Sequence, residues 1–324
     1  MMTKIAKIQY QYFFFKGDST LSNEFHFLSS DDHTTIYAKK WCPTQPPIGI
    51  IHIIHGMAEH INRYDEYAQH LVQQGWLVVG DDHLGHGHSS PTELGYFGEH
   101  PVLHLLDDEV QLFHQVKAQY PHLPYVLLGH SMGSMMAQAL LPRLSNQLAG
   151  CILTGTTAPH PELIPVWPLV VSLSKTAGHQ TGTFFDRLAF GSFSKRFNRH
   201  VKYSWLTHDS KIIDFYNRDP WSGFIFTYNG FYALFTLTKM ATTADWYHGI
   251  RRDLPLLLAS GTHDPVGKFG RGPKRLFDQL THDHFTVVTL HLFDQMRHEI
   301  LNETDRSTVY DFIDQWLHKN VKII

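Results

Sequence analysis

Apolar residues in this chain fall into short unbroken runs with little polar alternation. Ile50-Ile51-His52-Ile53-Ile54, Trp76-Leu77-Val78-Val79, Val126-Leu127-Leu128 and Leu256-Leu257-Leu258 are the clearest. Runs of this length bounded by turn residues read as strands buried on both faces, the pattern of parallel sheets. Strands are expected near 24–30, 34–40, 49–55, 76–80, 124–129, 150–154, 255–260 and 285–291. Helical spacing appears near 60–73, 101–119, 131–144, 271–279 and 305–319. The first two strands suit an antiparallel hairpin. The rest alternate with helices, which predicts an α/β fold with a mostly parallel sheet flanked by helices on both faces. The interval 156–248 breaks the alternation and is far longer than a connection within a compact domain. No internal repeat or low-complexity tract stands out.

Candidate chemistry lies where these elements meet. Gly129-His130-Ser131-Met132-Gly133 joins a predicted strand to a predicted helix. A serine at such a sharp junction projects its hydroxyl, and the helix N-terminus behind it favours developing negative charge. The alternative is a Gly-rich loop with a solvated serine. A nucleophilic serine needs an acid and then a histidine later in the chain. Asp264 follows the strand that ends at Ser260, in a loop that Pro265 and Gly267 keep from becoming helical. His298 lies in the loop after the β-branched run Phe285–Leu290. Ser131 is therefore expected as nucleophile, His298 as general base and then acid, and Asp264 as the group that orients the imidazole. The backbone N–H groups of Met57 and Met132 are the expected oxyanion donors.

The motifs His55–His60, Asp82–Gly87, Gly129–Gly133, Ser260–Gly267 and Arg297-His298-Glu299 together resemble the α/β-hydrolases of the monoacylglycerol lipase and lysophospholipase group. That group shares its sequence family with serine aminopeptidase S33-like hydrolases. The likeness implies an α/β-hydrolase fold with an eight-stranded sheet, and hydrolysis of carboxylic esters of single-chain lipids such as monoacylglycerol or lysophospholipid. A length of 324 residues admits one α/β domain with an insertion or two small domains; the expectation is one α/β-hydrolase domain, 1–324, with the over-long interval 156–248 as a helical cap, or lid, inserted in it. Leu84 departs from the family pattern, since many relatives carry Arg there.

The interval 156–248 is rich in aromatics: Phe184, Phe185, Phe190, Phe193, Phe197, Trp205, Phe215, Trp221, Phe224, Phe226, Phe231 and Phe235. They suit an acyl-chain pocket above the strand ends, or the core of the cap itself. Leu163–Val171 offers either an apolar edge for a lipid interface or more cap core, with Pro165 and Pro168 interrupting its helical stripe.

Charge narrows the partners. A formal net charge of -3 shows no basic footprint, so nucleic acid is not expected. Cys42 and Cys151 form no Cys-x-x-Cys pair, and Cys151 reads as a buried structural thiol. The run Ile8–Phe15 is broken by glutamines and lacks a small-residue cleavage site, so no signal peptide is expected. No stretch reaches the ~20 apolar residues of a spanning helix. The expectation is a cytoplasmic enzyme without obligate protein partner, with peripheral membrane contact through the cap left open.

Histidine is abundant, at 25 residues. His52, His55 and His60 form one group, and His83, His86 and His88 another beside Asp81 and Asp82. Neither matches a metallo-hydrolase pattern, so no metal or organic cofactor is expected. His52 and His55 are expected on opposite sides of the sheet. The rival readings are a serine peptidase acting at peptide N-termini, with Glu59 or Asp186 as amine anchor, an acyltransferase, and a non-catalytic ligand-binding α/β-hydrolase. Epoxide hydrolases and dehalogenases would carry Asp at position 131.

Overall fold

The computed structural model describes residues 22–90, 92–161, 164–243 and 246–322. The N-terminal segment and Leu163 therefore lie outside the described residues. One eight-stranded sheet runs through the molecule: β1 Ser22–Leu28, β2 Thr35–Trp41, β3 Gly49–Ile54, β4 Trp76–Asp81, β5 Tyr125–His130, β6 Gly150–Thr154, β7 Leu256–Gly261 and β8 Val288–Phe293. Their spatial order is β1-β2-β4-β3-β5-β6-β7-β8. β1 and β2 pair antiparallel, β2 joins β4 antiparallel, and every later pairing is parallel.

The sheet is buried on both faces because side chains two apart share a face. Ile50, Ile54, Leu127, Leu153 and Leu258 belong to one core. It also takes in Leu112 and Phe113 of α2 (Pro101–Gln119) and Met136 and Leu140 of α3 (Met132–Leu144). Ile51, Ile53, Val78, Val126, Ile152 and Leu257 face a second core with Leu71 of α1 (Asp65–Gln73) and Ile313 and Trp316 of α9 (Arg306–Asn320). Ile50, Ile51, Ile53 and Ile54 are fully enclosed. Each contributes roughly 1.5–3 kcal/mol, which explains why the run carries no polar alternation.

Two boundaries move from expectation. The helix expected from 60 begins as a 3-10 turn, Ile61–Tyr64, because the Asp82 carboxylate accepts from the N–H of Ile61 (2.8 Å) and fixes the chain there. The last strand starts at Val288 rather than 285, since Phe285 is buried and its N–H caps α8 (Arg271–His282) through the carbonyl of Leu280.

Between β6 and β7 the chain builds α4 (Trp167–Thr176), α5 (Thr183–Phe190), α6 (Ser210–Arg218) and α7 (Tyr228–Thr242). Pro165 and Pro168 do not interrupt a helix. Pro168 lies in the first turn of α4, where its missing N–H costs nothing. Main-chain groups join this inserted segment to the loops at the strand ends. The N–H of Gly223 and the hydroxyl of Tyr216 both donate to the carbonyl of Ala58, at 2.9 and 3.0 Å. The N–H of Glu299 donates to the carbonyl of Leu206 at 2.8 Å. Among the described residues no helix is long and apolar enough to cross a membrane.

Candidate active site

Ser131 stands between β5 and α3 with φ 53° and ψ −115°, a conformation that side chains other than glycine rarely take. The turn is this tight because α3 presses against β3. A Cβ at Gly133 would collide with the carbonyl oxygens of Ile54 and His55, and one at Gly129 with the Gly133 carbonyl. The Ser131 carbonyl accepts from the N–H groups of Ser134 and Met135, so the strain is held by the first helical turn.

His298 arrives from the loop after β8 and Asp264 from the loop after β7. The His298 Nδ1 lies 3.0 Å from Asp264 Oδ1, and both side chains are buried. The N–H of Val266 donates to the same carboxylate (2.9 Å), and the Ser260 hydroxyl faces its second oxygen at 3.3 Å. Burial alone would lower the His298 pKa, but the charge and hydrogen bond of Asp264 outweigh it and raise it above the ordinary histidine value. Neighbouring His130 behaves oppositely. Burial and the nearby His298 push it down to about 4.

Ser131 and His298 open on one cavity of about 890 Å³, which Met57 also lines. Met132 is the first residue of α3, so its N–H has no acceptor within the helix. The loop carrying Met57 is braced by groups the sequence reading had not connected. Glu59 accepts from the N–H of Gly56 (2.5 Å), from the Tyr64 hydroxyl (2.9 Å) and from Arg63. Arg63 also clasps Glu299, next to His298, with both nitrogens at 2.9 and 2.6 Å. That guanidinium overrides burial and holds the Glu299 carboxyl down to about 2. Glu59, in the loop before the 3-10 turn, and Arg63, within that turn, are only four residues apart, a local signal. Their third partner, 236 residues away from Arg63, gave none.

Residues 45–305 match the family described as Serine aminopeptidase, S33. The chain belongs to this family. Among its relatives, the Monoglyceride lipase of Rattus norvegicus is 25% identical over 303 residues, 92% of this chain and 91% of that protein. The Monoglyceride lipase homolog of Monkeypox virus is 39% identical over 108 residues, 33% of this chain and 37% of that protein. A highly thermostable carboxyl esterase from Bacillus coagulans, solved in complex with glycerol, superposes with a TM-score of 0.88 at 26% identity. That match covers 94% of this chain and all of the esterase.

Within this S33 α/β-hydrolase the aromatics of the inserted segment divide. Phe190, Phe193, Trp205, Phe224 and Phe235 line the cavity. Phe185, Phe226 and Phe231 are fully buried among themselves, while Phe184 and Phe215 are exposed. On α4, Val170 packs inward, whereas Leu169 and the preceding Ile164 face out. Leu84 is buried in the core.

The histidines form a buried polar network away from the cavity. His83 Nδ1 faces both Asp81 and Glu109 at 3.0 Å, and His52 Nε2 lies 2.9 Å from Glu109. His55 stacks on His83 with ring centroids 3.7 Å apart. His52 and His55 thus join one network instead of parting across the sheet, because His55 lies beyond the last residue of β3. Asp81, His83 and Glu109 are, among the described residues, the one group with the composition and spacing of a metal site. His83 lies between the two carboxylates and His52 faces Glu109 from the other side. His86 Nε2 accepts from the N–H of Ala58 at 3.3 Å, so this network supports the Met57 loop from below. Cys42 and Cys151 are both free thiols, Cys151 buried with its pKa raised by desolvation.

Proposed function

We propose that this S33 α/β-hydrolase cleaves carboxylic esters of single-chain lipids, monoacylglycerol or lysophospholipid, through an acyl-enzyme on Ser131. The observation that carries the reading is the buried Asp264–His298 hydrogen bond at the wall of the cavity onto which Ser131 opens. His298 takes the Ser131 proton as the oxygen attacks the ester carbonyl, and Asp264 stabilises the imidazolium. The N–H groups of Met57 and Met132 receive the oxyanion. Such donors are typically worth about 3–4 kcal/mol each in the transition state. His298 returns the proton to the leaving alcohol, and water then repeats the sequence on the acyl-enzyme.

The segment 156–248 serves as a cap on the one domain, and Phe190, Phe193, Trp205, Phe224 and Phe235 along the cavity receive the acyl chain. Each methylene buried there favours binding by roughly 0.8 kcal/mol. The peptidase alternative needs a free carboxylate for the substrate's α-amine. Glu59 is committed to Gly56, Tyr64 and Arg63. Asp186 is left, half-buried in the cavity, and burial raises its pKa despite Lys202 nearby.

A fluorophosphonate probe on the protein and on Ser131→Ala tests the reading, followed by a panel of monoacylglycerols, lysophospholipids and aminoacyl amides. Serine-dependent labelling with turnover of single-chain esters is expected. Turnover of amides alone would move the activity to the peptidase side, and absence of labelling would refute the nucleophile.

A further inference from the structure

The buried cluster behind the Met57 loop holds ionisable side chains that the proposed hydrolysis does not use. Asp81 ends β4, His83 follows in the next loop, and Glu109 comes from the middle of α2. One donor atom from each stands within 4.8 Å of the other two. None of the three side chains is more than 1% exposed. None lines the catalytic cavity.

The hydrogen bonds of His83 fix which nitrogen faces the carboxylates. Its Nε2 lies 3.2 Å from the His55 carbonyl, which can only accept, so Nε2 carries a proton. In the neutral imidazole Nδ1 is then a bare lone pair. It faces Asp81 Oδ1 and Glu109 Oε1, each 3.0 Å away. Three electron-rich atoms converging in a dry interior repel one another unless a cation lies among them. A second proton on His83 aligns with Asp81 alone. Both oxygens of Glu109, and Asp81 Oδ2, are buried and meet no hydrogen-bond donor among the described residues. His52 Nε2 is 2.9 Å from Glu109 Oε2, at ion-pair distance but outside hydrogen-bond alignment.

From this convergence we infer that Asp81, His83 and Glu109 bind a divalent transition-metal ion, zinc by their donor set, as a structural centre. A dication offsets the two carboxylates with His83 neutral, so the buried site carries no net charge. An imidazole among the donors favours zinc over calcium or magnesium, which take oxygen ligands. Tetrahedral donors at about 2.0–2.2 Å from zinc stand roughly 3.3–3.5 Å apart, so the ion enters on a shift of a few tenths of an ångström. Asp81 Oδ2 is available to close the shell. The bond from His83 Nε2 to a carbonyl is the outer contact that orients a metal-bound histidine. His52, whose Nδ1 lies 3.0 Å from the Tyr125 hydroxyl, backs Glu109 in the same manner. The ion ties β4 to α2 and, through His83 and the His55 carbonyl, steadies the chain that leads to Gly56 and Met57.

The test reads metal and stability, not turnover, so it stands apart from the serine-hydrolase reading. The full chain is produced in zinc-supplemented and in metal-depleted medium, and metal content is measured by plasma mass spectrometry after gel filtration. A single zinc per chain is expected in the first preparation. Its melting temperature should exceed that of the second by about 5 °C, and zinc chloride added to the second should restore the difference. Glu109→Gln and Asp81→Asn keep the side-chain shape and remove a ligand charge, and each should lose both the zinc and its stabilisation. Because 25 histidines can also collect zinc at the surface, His282→Gln, at an exposed position, serves as control and should leave bound zinc unchanged. Zinc retained by both ligand variants, or lost from His282→Gln instead, would assign it to surface histidines and overturn the inference. An unaltered protein without zinc, or with melting indifferent to zinc, would overturn it too and leave His83 as an imidazolium between the carboxylates. Should the ligand variants not fold, the zinc content and zinc-dependent melting of the unaltered protein and the His282→Gln control decide the matter.

Discussion

Arg63 and Glu299 form a buried ion pair, Nη2 to Oε2 at 2.6 Å, that ties the turn after β3 to the loop bearing His298. The same guanidinium reaches Glu59, whose carboxylate fixes the N–H of Gly56 beside Met57. One cation therefore sets the spacing between the proposed oxyanion donor and the proposed base. Removing it leaves two buried carboxylates facing each other. Arg63→Gln should cost about 3–5 kcal/mol in urea unfolding and lower kcat more than it changes KM. Arg63→Lys should recover part of both, since it restores charge without the fork.

The pH dependence of that stability has a definite sign. Glu299 is held down to about 2 in the folded protein, below its unfolded value of roughly 4.3. Its contribution is present above the unfolded value and drains as pH falls through about 4 toward 2. Unfolding free energy measured from pH 6 to 2.5 should fall more steeply in the unaltered protein than in Glu299→Gln.

Ser131 carries backbone strain that glycine would release. At φ 53° and ψ −115° the expected cost is roughly 1–3 kcal/mol, partly offset by the greater unfolded-state freedom of glycine. Ser131→Gly should therefore melt higher than the unaltered protein, by about 1 kcal/mol in chemical denaturation. Ser131→Ala should stay near it in stability. Both should lose hydrolysis by about 10⁴-fold or more. A Ser131→Ala variant with near-normal turnover would dismiss the nucleophile.

His298 must be neutral to accept a proton, and Asp264 raises its pKa. kcat/KM should climb between pH 5 and 8, with its inflection above the ordinary histidine value of about 6.5. Asp264→Asn removes the charge that raises it, so the inflection should move to lower pH while the rate falls by about 10³–10⁴-fold. A flat profile in the unaltered protein, with chemistry limiting, would contradict the base assignment.

Phe190 stacks near Trp205 and meets Phe193 edge-on at the cavity wall. Phe190→Ala should raise KM for oleoyl esters several-fold and leave butyryl esters almost unchanged. A uniform loss across chain lengths would place the acyl chain elsewhere.

Much of this architecture was legible because its signals are local. Apolar runs marked the inner parallel strands such as β3, β4, β5 and β7, and the turn residues after β5, β7 and β8 marked where Ser131, Asp264 and His298 would emerge. What escaped depends on contacts between distant segments. Arg63 and Glu299 are joined only by the fold, as are His52, Glu109 and His83. Phe285 was apolar enough to extend the last strand, yet tertiary packing turned it into the cap of α8. The aromatics of the inserted segment could not be sorted by sequence either. Phe185 and Phe190 lie on one short helix, one in the core and the other on the cavity.

The hydrogen bonds from Gly223 and Tyr216 to Ala58, and from Glu299 to Leu206, make the inserted segment a structural member of the floor of the proposed active site. Trimming it would not yield a permissive esterase with an open site. The turn beside Met57 and the loop beside His298 would each lose an anchor at once. Recognition and reactivity are in this sense indivisible here. Grafting a foreign roof onto this sheet would require carrying over those three attachments, two between main-chain groups and one from the Tyr216 hydroxyl, before any question of substrate fit arises.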